Sequence, residues 1–376
     1  MSWKLSGCLA AVDIEIPSNL LVARPLADRS SQINRASGTE RDLSLPCLPS
    51  RGYPQRCIIP LSVRLPANAH GSVMNFPDKS RFLATAFAFF AFLTAPQVDG
   101  REARSATSTE EARPAMWKVS DEDTTIYLFG TIHILPQGVD WLQGPVESAF
   151  NSADLLVTET RLDKPEELQS LFMEKGLRHD GRSLRDSLPS KQRAVLEKSL
   201  IGSGLEKHSF DAFEAWYAGL LLSLIPLKAA GYDQANGIET QIDALAERSG
   251  IARHPLETAA YQIGLFAALP QNSQQAYLSE VLDQLPTLRE DVSKVVAAWK
   301  AGKADELARL LNEDESDETL RKVLITDRNA AWAKWLEGRL AEPGVVFVAV
   351  GAGHLAGEGS VQDQLARAGI KSERVQ

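Results

Sequence analysis

The chain has 376 residues, of which 44% are hydrophobic and 24% are charged, and its formal net charge is −9 at pH 7. This composition is that of an ordinary globular protein, long enough for one large domain or two small ones. The acidic balance, without a basic stripe to neutralise phosphates, argues against nucleic acid as a partner.

The first 73 residues differ from the rest of the chain. They carry eight Lys and Arg against five Asp and Glu, and they contain all three cysteines, Cys8, Cys47 and Cys57. Their scattered Pro, Ser and Arg show no sustained period, so we expect residues 1–73 to be disordered or an artefact of the assigned gene start. No cysteine follows, so a metal in the later chain would be bound by His, Asp and Glu.

A short basic segment begins at Met74 and precedes fourteen apolar or small residues, Phe82–Ala95. This layout is typical of a secretory signal peptide and is too short for a comfortable membrane span. The alternative is a buried core helix. We therefore expect translation to start at Met74 and the product to be periplasmic or secreted, without a stable membrane span once the signal is removed.

The predicted domain follows this leader. Residues 74–105 are expected to form the signal peptide and the start of a linker, and the polar linker continues to residue 114. The domain then spans residues 115–376.

Strands and helices alternate along this domain. The strand signals are short β-branched and aromatic runs, at 116–119, 125–129, 155–159, 252–256, 345–350 and 370–375. The predicted helices are 144–152, 165–175, 189–200, 210–230 with a kink at Pro226, 237–248 capped by Asn236, several between 258 and 340, and 360–368. This order predicts an α/β fold with a mixed, partly parallel central sheet flanked by helices, and a large helical cap inserted at about 161–340.

Two strands end in the same motif. Thr124–His133 and Val345–His354 each consist of an apolar strand, a Gly, two further residues and a His. Glu159 and Glu257 also follow predicted strands. Since ligands bind beyond the carboxyl ends of parallel strands, these two His and two Glu residues are expected to share one site.

Two chemistries suit these residues. His and carboxylate side chains bind Zn, Mn or Co, and such a metal would activate water while Glu257 acts as a base. Without a metal, one His would act as the general base, positioned by a carboxylate. Arg328, on an apolar helix face, would reach a site carboxylate or stabilise an oxyanion, or would form a salt bridge between helices. Glu239 is expected to be a residue of a first helical turn.

The motifs in their order resemble the TraB/GumN family over residues 115–376. They are Thr125–Pro136 around His133, Ala153–Glu159, Gly237-Ile-Glu239, Leu256-Glu257-Thr258, Arg328-Asn329 and Phe347–Gly357 around His354. The family includes Tiki-type metal-dependent proteases with paired GxxH motifs. It also resembles erythromycin-esterase-like and ChaN-like proteins in fold.

The resemblance implies His133 and His354 as the paired motif histidines and Glu159 as their acidic partner. Together with the residue chemistry, it leads to three alternatives. The first is a divalent-metal-dependent hydrolase, peptidase-like, with His133, His354 and Glu159 on the metal, Glu257 and Arg328 assisting, and a peptide or small molecule as substrate. The second is a non-catalytic binding protein that regulates by sequestering a peptide or ligand. The third is a metal-independent, His-based esterase.

Overall fold

A computed structural model describes residues 110–161, 165–312, 317–355 and 357–376. The expected disordered segment and signal peptide lie outside the described residues. Within the described part of the chain, no helix is long and apolar enough to cross a membrane.

The strands, numbered in chain order, are short apart from the two that carry the GxxH motifs. They are β1 Glu110–Glu111, β2 Met116–Ser120, β3 Thr124–Thr131, β4 Leu135–Pro136, β5 Val139–Asp140, β6 Leu155–Thr158, β7 Tyr232–Asp233, β8 Ala252–Pro255, β9 Gly344–Gly351 and β10 Glu373–Arg374.

Most helices lie close to their predicted bounds, but the helix predicted over 210–230 begins only at Ala215. They are α1 Gly144–Asn151, α2 Pro165–Gly176, α3 Ser190–Gly202, α4 Ala215–Ala229, α5 Ile238–Ser249, α6 Ala259–Ala267, α7 Gln271–Gln284, α8 Leu288–Lys300, α9 Ala304–Asn312, α10 Glu318–Arg321, α11 Asp327–Arg339 and α12 Val361–Arg367. A five-residue π-helical segment, Lys322–Thr326, joins α10 to α11. The sequence pattern gave no indication of this segment.

The central sheet has six strands in the order β10-β2-β3-β9-β6-β8. β2 pairs antiparallel with β3 and with the edge strand β10, whereas β3, β9, β6 and β8 are mutually parallel. The predicted mixed, partly parallel sheet is therefore confirmed. Its four parallel strands bring the ends that carry the GxxH motifs and the two Glu residues to the same edge.

Alternate residues of the long strands face opposite layers of helices. Phe129, Phe347 and Ala349 join one apolar cluster with residues of α1, α5 and α8. Leu128 and Val348 join the other cluster with residues of α11 and α12. Side chains of β3 and β9 are therefore buried on both faces of the sheet, as is usual for parallel strands.

A third apolar cluster contains no strand residue. It combines buried side chains of α2, α3, α4, α6, α7 and α10, including the fully buried Trp216 and Tyr277. These helices lie within the predicted cap insertion and form a separate helical core.

Two local predictions differ from the structure. The last residues of the expected linker pack on the domain, because β1 pairs with β5 and Ala112 is fully buried. The residue that caps α5 is Gly237 instead of Asn236, whose side chain donates to the carbonyl of Leu135.

Candidate functional site

The four parallel strands deliver four polar residues to one edge of the sheet. Glu159 follows β6 directly, His133 and Glu257 come two residues after β3 and β8, and His354 comes three residues after β9. Beyond the strand ends, Glu257 N donates to the Glu159 carbonyl at 2.8 Å, so the β6–β8 pairing continues into the site. This placement follows the expectation for a cleft at carboxyl strand ends.

The loop that carries His133 is fixed at three points. Trp299 of α8 donates its indole N–H to the Gly130 carbonyl at 2.7 Å, and Ile238 N donates to the Ile132 carbonyl at 3.0 Å. A Cβ on Gly237 would lie 2.1 Å from the carbonyl oxygen of His133. Only glycine at 237 therefore allows the N-terminus of α5 to approach this loop so closely.

That approach places Glu239, in the first turn of α5, against His133. His133 Nδ1 lies 2.8 Å from Glu239 Oε1, an ion-pair distance, although the ring N–H is not aligned for a standard hydrogen bond. Thr131 Oγ1 donates to the same oxygen. His133 is only 4% exposed, and its Nε2 has no hydrogen-bond partner among the described residues.

Two opposing effects act on the pKa of His133. Burial lowers it, and the negative charges of Glu239 and Glu159 raise it by more, so the net shift is upward. Glu239 is thus the electrostatic partner of this imidazole as well as a first-turn residue of a helix.

Glu159 is held by donors on both carboxylate oxygens. Its Oε1 accepts from Gly351 N at 2.8 Å, and its Oε2 accepts from Arg328 Nη2 at 2.6 Å and from Gln262 Nε2 at 3.1 Å. Burial alone would raise the pKa of this carboxyl, but the Arg328 charge and, to a smaller extent, the Gly351 N–H lower it to about 2. Glu159 is therefore a buried carboxylate anion at neutral pH.

Arg328 lies at the centre of the site and is 1% exposed. Its Nε donates to Glu257 at 3.1 Å, its Nη2 also lies 2.9 Å from Glu257 Oε2, and its Nη1 donates to the Leu324 carbonyl at 3.0 Å. Leu324 belongs to the π-helical segment, a local helix distortion of the kind often found at functional sites. Trp332 lies one turn further on, with its ring 4.7 Å from the Arg328 Cζ, and donates its indole N–H to Glu257 at 2.9 Å.

His354 is a neutral imidazole in this arrangement. Its Nε2 lies 3.1 Å from Arg328 Nη1, which can only donate, so that nitrogen is the acceptor and the proton is on Nδ1. Nδ1 donates to Asn329 Oδ1 at 2.6 Å, and the Asn329 amide is oriented by donation to the Gly359 carbonyl at 2.8 Å. Burial, followed by the Arg328 charge, lowers the pKa of His354 to about 3.

Most ligand atoms of the predicted metal site already have partners in the protein. Both ring nitrogens of His354 and both oxygens of Glu159 already have partners, which leaves His133 Nε2 as the one ring nitrogen of the two motifs without a described partner. Among the described residues, no group of three or more His, Cys, Asp and Glu is arranged to hold a metal ion. His133, Glu159 and His354 therefore do not fit a divalent metal while the Arg328 guanidinium contacts His354 Nε2 and Glu159 Oε2.

The five residues selected from the sequence thus lie in one site: His133, Glu159, Glu257, Arg328 and His354. Arg328 contacts site carboxylates, as one of its predicted roles required. The other contributing side chains are Glu239, Gln262, Asn329 and Trp332. The sequence pattern does not predict the role of Gln262, which lies in the first turn of α6, five residues after Glu257, and donates to Glu257 at 2.9 Å.

Comparisons with known proteins agree with the motif order. The model of the TraB/PrgY/gumN family matches residues 115–374. The chain is also 26% identical over 183 residues, 49% of its length and 68% of the relative's, to a protein described as "Uncharacterized protein YbaP" from Escherichia coli (strain K12), and equally to its Shigella flexneri counterpart. No solved structure matches the chain, so the erythromycin-esterase-like and ChaN-like resemblance in fold stays an expectation. The family model covers well over half of the chain, and the chain therefore belongs to the TraB/PrgY/gumN family.

Proposed function

We propose that this protein is a hydrolase of peptide or ester bonds in which His133, paired with Glu239, is the general base that activates water. The observation that carries the proposal is the environment of His133. One ring nitrogen lies 2.8 Å from a carboxylate oxygen, and the other is buried beside Glu159 without a described partner. This pairing of a base with an orienting carboxylate is the usual arrangement for acid–base catalysis.

The proposed hydrolysis proceeds in two steps, addition of water and loss of the leaving group. His133 Nε2 takes a proton from water, the water oxygen bonds to the substrate carbonyl carbon, and the carbonyl oxygen gains the negative charge. The intermediate then collapses, the bond to the leaving nitrogen or oxygen breaks, and His133 Nε2 returns the proton to that leaving group. Glu239 stabilises the imidazolium that exists between the two steps.

Arg328 organises the site in this proposal. A guanidinium has five N–H groups, and four of them donate hydrogen bonds, to Glu159, Glu257, His354 and the Leu324 carbonyl. The remaining N–H is on Nη2, which also lies 2.9 Å from Glu257 Oε2, so the geometry favours a role for Arg328 in holding Glu159 and Glu257 over direct stabilisation of the transition state.

The metal-dependent hydrolase is the second candidate. It is favoured by the convergence of His133 Nε2 and Glu159 Oε1, which both lie within 3.4 Å of the Cβ position of Gly351. It would require Arg328 to leave the lone pair of His354. Elemental analysis and chelation separate it from the first candidate.

The test uses the full chain against a panel of p-nitrophenyl esters and internally quenched peptides. The proposal predicts turnover that falls roughly 100-fold or more in His133→Gln, a typical value for loss of a general base. His208→Gln is the matched control, because His208 is exposed and pairs with exposed Glu206. Turnover that persists in His133→Gln would contradict the proposal. Tight binding of a panel member without turnover would favour the binding protein.

A further inference from the structure

Thr131, the last residue of β3, directs its hydroxyl group to the carboxylate of Glu239. Its Oγ1 donates to Glu239 Oε1, the same oxygen that lies 2.8 Å from His133 Nδ1. Thr131 is 1% exposed, and Glu239 Oε2 has no hydrogen-bond partner among the described residues. The Thr131 hydroxyl therefore ties the Glu239 carboxylate to the strand that leads to His133.

Strand formation does not explain this hydroxyl. A valine has nearly the same shape as a threonine, is also β-branched and would suit a buried strand end without a polar group to satisfy. Burying a hydroxyl costs free energy unless it forms a hydrogen bond. Thr124, the first residue of the same strand, donates its hydroxyl to the Glu342 carbonyl at 2.8 Å. At Thr131 the acceptor is instead a charged side chain of the site.

The two GxxH motifs differ at the residue after the glycine, and the difference matches the partners of their histidines. The first motif has Thr131 at this position, and its histidine lies 2.8 Å from the carboxylate of Glu239. The second motif has Ala352, which has no hydroxyl, and Nδ1 of its histidine donates to the neutral amide of Asn329. The hydroxyl thus belongs to the motif whose histidine has an acidic partner at Nδ1.

Charged groups act on both sides of the His133 ring. Glu239 of α5 lies next to Nδ1, whereas Glu159 has an oxygen on the side of Nε2. Arg328 of α11 and His354, after β9, also interact electrostatically with this ring. In a neutral imidazole, the hydrogen bond of one nitrogen decides which nitrogen carries the proton. A carboxylate held beside Nδ1 therefore keeps the proton on Nδ1 and leaves the lone pair on Nε2.

We infer that Thr131 is a positioning residue, whose hydroxyl holds Glu239 Oε1 beside His133 Nδ1 and so keeps Nε2 free to act as the base. The inference rests on the proposed function and adds the residue that sets the tautomer of the base. Since Thr131 acts through Glu239, its loss should slow the chemical step and leave substrate binding little changed.

Long-range ¹H–¹⁵N spectra of the full chain test the tautomer without any substrate. At a pH where the His133 ring is neutral, wild type and Thr131→Ser are expected to carry the proton on Nδ1. Thr131→Val and, independently, Thr131→Ala should show a mixture with the Nε2 tautomer. Thr124→Val is the matched control, because it removes a buried hydroxyl at the far end of the same strand. A wild-type proton on Nε2, or the wild-type tautomer in the variants without the hydroxyl, would overturn the inference.

A double-mutant cycle is the second measurement, on any substrate that the wild-type protein hydrolyses. Thr131→Val is expected to lower kcat roughly tenfold, the scale of one hydrogen bond, with little change in KM, and Thr131→Ser should retain most of the rate. In a Glu239→Ala background, Thr131→Val should have no further effect, because the carboxylate that it positions is absent. Equal losses in both backgrounds would show a merely structural role and overturn the inference.

The two proposals can fail separately. A protein that hydrolyses nothing on the panel, but whose His133 tautomer depends on the Thr131 hydroxyl, would reject the proposed hydrolase and retain the positioning role. Hydrolysis that requires His133 but is unchanged in Thr131→Val would do the reverse.

Discussion

Arg328 Nη1 lies 3.1 Å from His354 Nε2, so a permanent cation points at the lone pair of the second motif histidine. Since the Asn329 amide oxygen accepts the proton on Nδ1, both nitrogens of this ring are engaged. The two GxxH histidines are therefore not equivalent. His133 keeps one ring nitrogen without a described partner, and His354 serves as an acceptor for Arg328.

The contact between His354 and Asn329 predicts a single tautomer. At pH 7, long-range ¹H–¹⁵N spectra of the wild-type imidazoles should show His354 neutral, with the proton on Nδ1. Asn329→Leu removes the acceptor of that proton but leaves Arg328 Nη1 donating towards Nε2, so the proton should remain on Nδ1. Wild-type protein with the proton on Nε2 of His354 would contradict the assigned network.

Removing the guanidinium should strongly destabilise the fold. Arg328→Met leaves the carboxylates of Glu159 and Glu257 buried without their cation, which costs about 3–5 kcal/mol for a buried pair. Urea unfolding measures this cost. Arg367→Met is the control, because it breaks an exposed pair with Asp363 and should cost less than about 1 kcal/mol. A loss for Arg328→Met as small as that of the control would refute the proposed role of Arg328.

Stability should fall as the pH drops below 6.5. The pKa of His354 is about 3 in the folded protein and 6.5 in the unfolded chain, so between these values the unfolded state binds the extra proton. The lowered pKa of Glu159 also makes stability fall as the pH drops, between pH 4.5 and about pH 2. The raised pKa of His133 has the opposite sign and acts only above 6.5, where its contribution is lost as the pH rises through the folded value.

Urea unfolding measured between pH 6.5 and 4.5 reports the effect of His354 on stability, because Glu159 acts only below pH 4.5. One proton changes the free energy of unfolding by at most about 1.4 kcal/mol per pH unit. His354→Gln should reduce the slope in this window, and His208→Gln, at an exposed position, should not. Equal slopes in wild type and His354→Gln would show that His354 is not buried in its neutral form.

The pH–rate profile should report the pair formed by His133 and Glu239. A general base acts when unprotonated, so turnover should rise with pH and have its midpoint above 6.5, because Glu239 and Glu159 raise the pKa of His133. Glu239→Gln removes one of those charges and should move the midpoint to lower pH, while lowering the maximal rate. An unchanged midpoint in Glu239→Gln would show that Glu239 does not act on the catalytic base.

Much of this site follows from local sequence pattern. The apolar runs before Gly130 and Gly351 and those before Glu159 and Glu257 predict buried parallel strands. Parallel strands end at a common edge, so the convergence of these residues with the two histidines needs no tertiary information.

The partners of those residues depend on tertiary contacts that no local pattern encodes. Glu239 reads as a first-turn helix residue, and only the close approach that Gly237 allows brings it to His133. The same close approach explains why the N-cap residue of α5 is a glycine. The sequence predicts Arg328 as a site residue, but its hydrogen bond to the Leu324 carbonyl depends on a π-helical segment that the sequence pattern does not indicate.

The most direct test of the account combines metal content with turnover. Full-length protein without an affinity tag is dialysed against a chelator, its metal content is measured, and its hydrolysis of an active substrate is compared before and after. The account predicts far less than one transition metal per chain and an unchanged rate that still depends on His133. Activity that disappears on chelation and returns with Zn, Mn or Co would contradict it, and would show that His354 exchanges Arg328 for a metal ion.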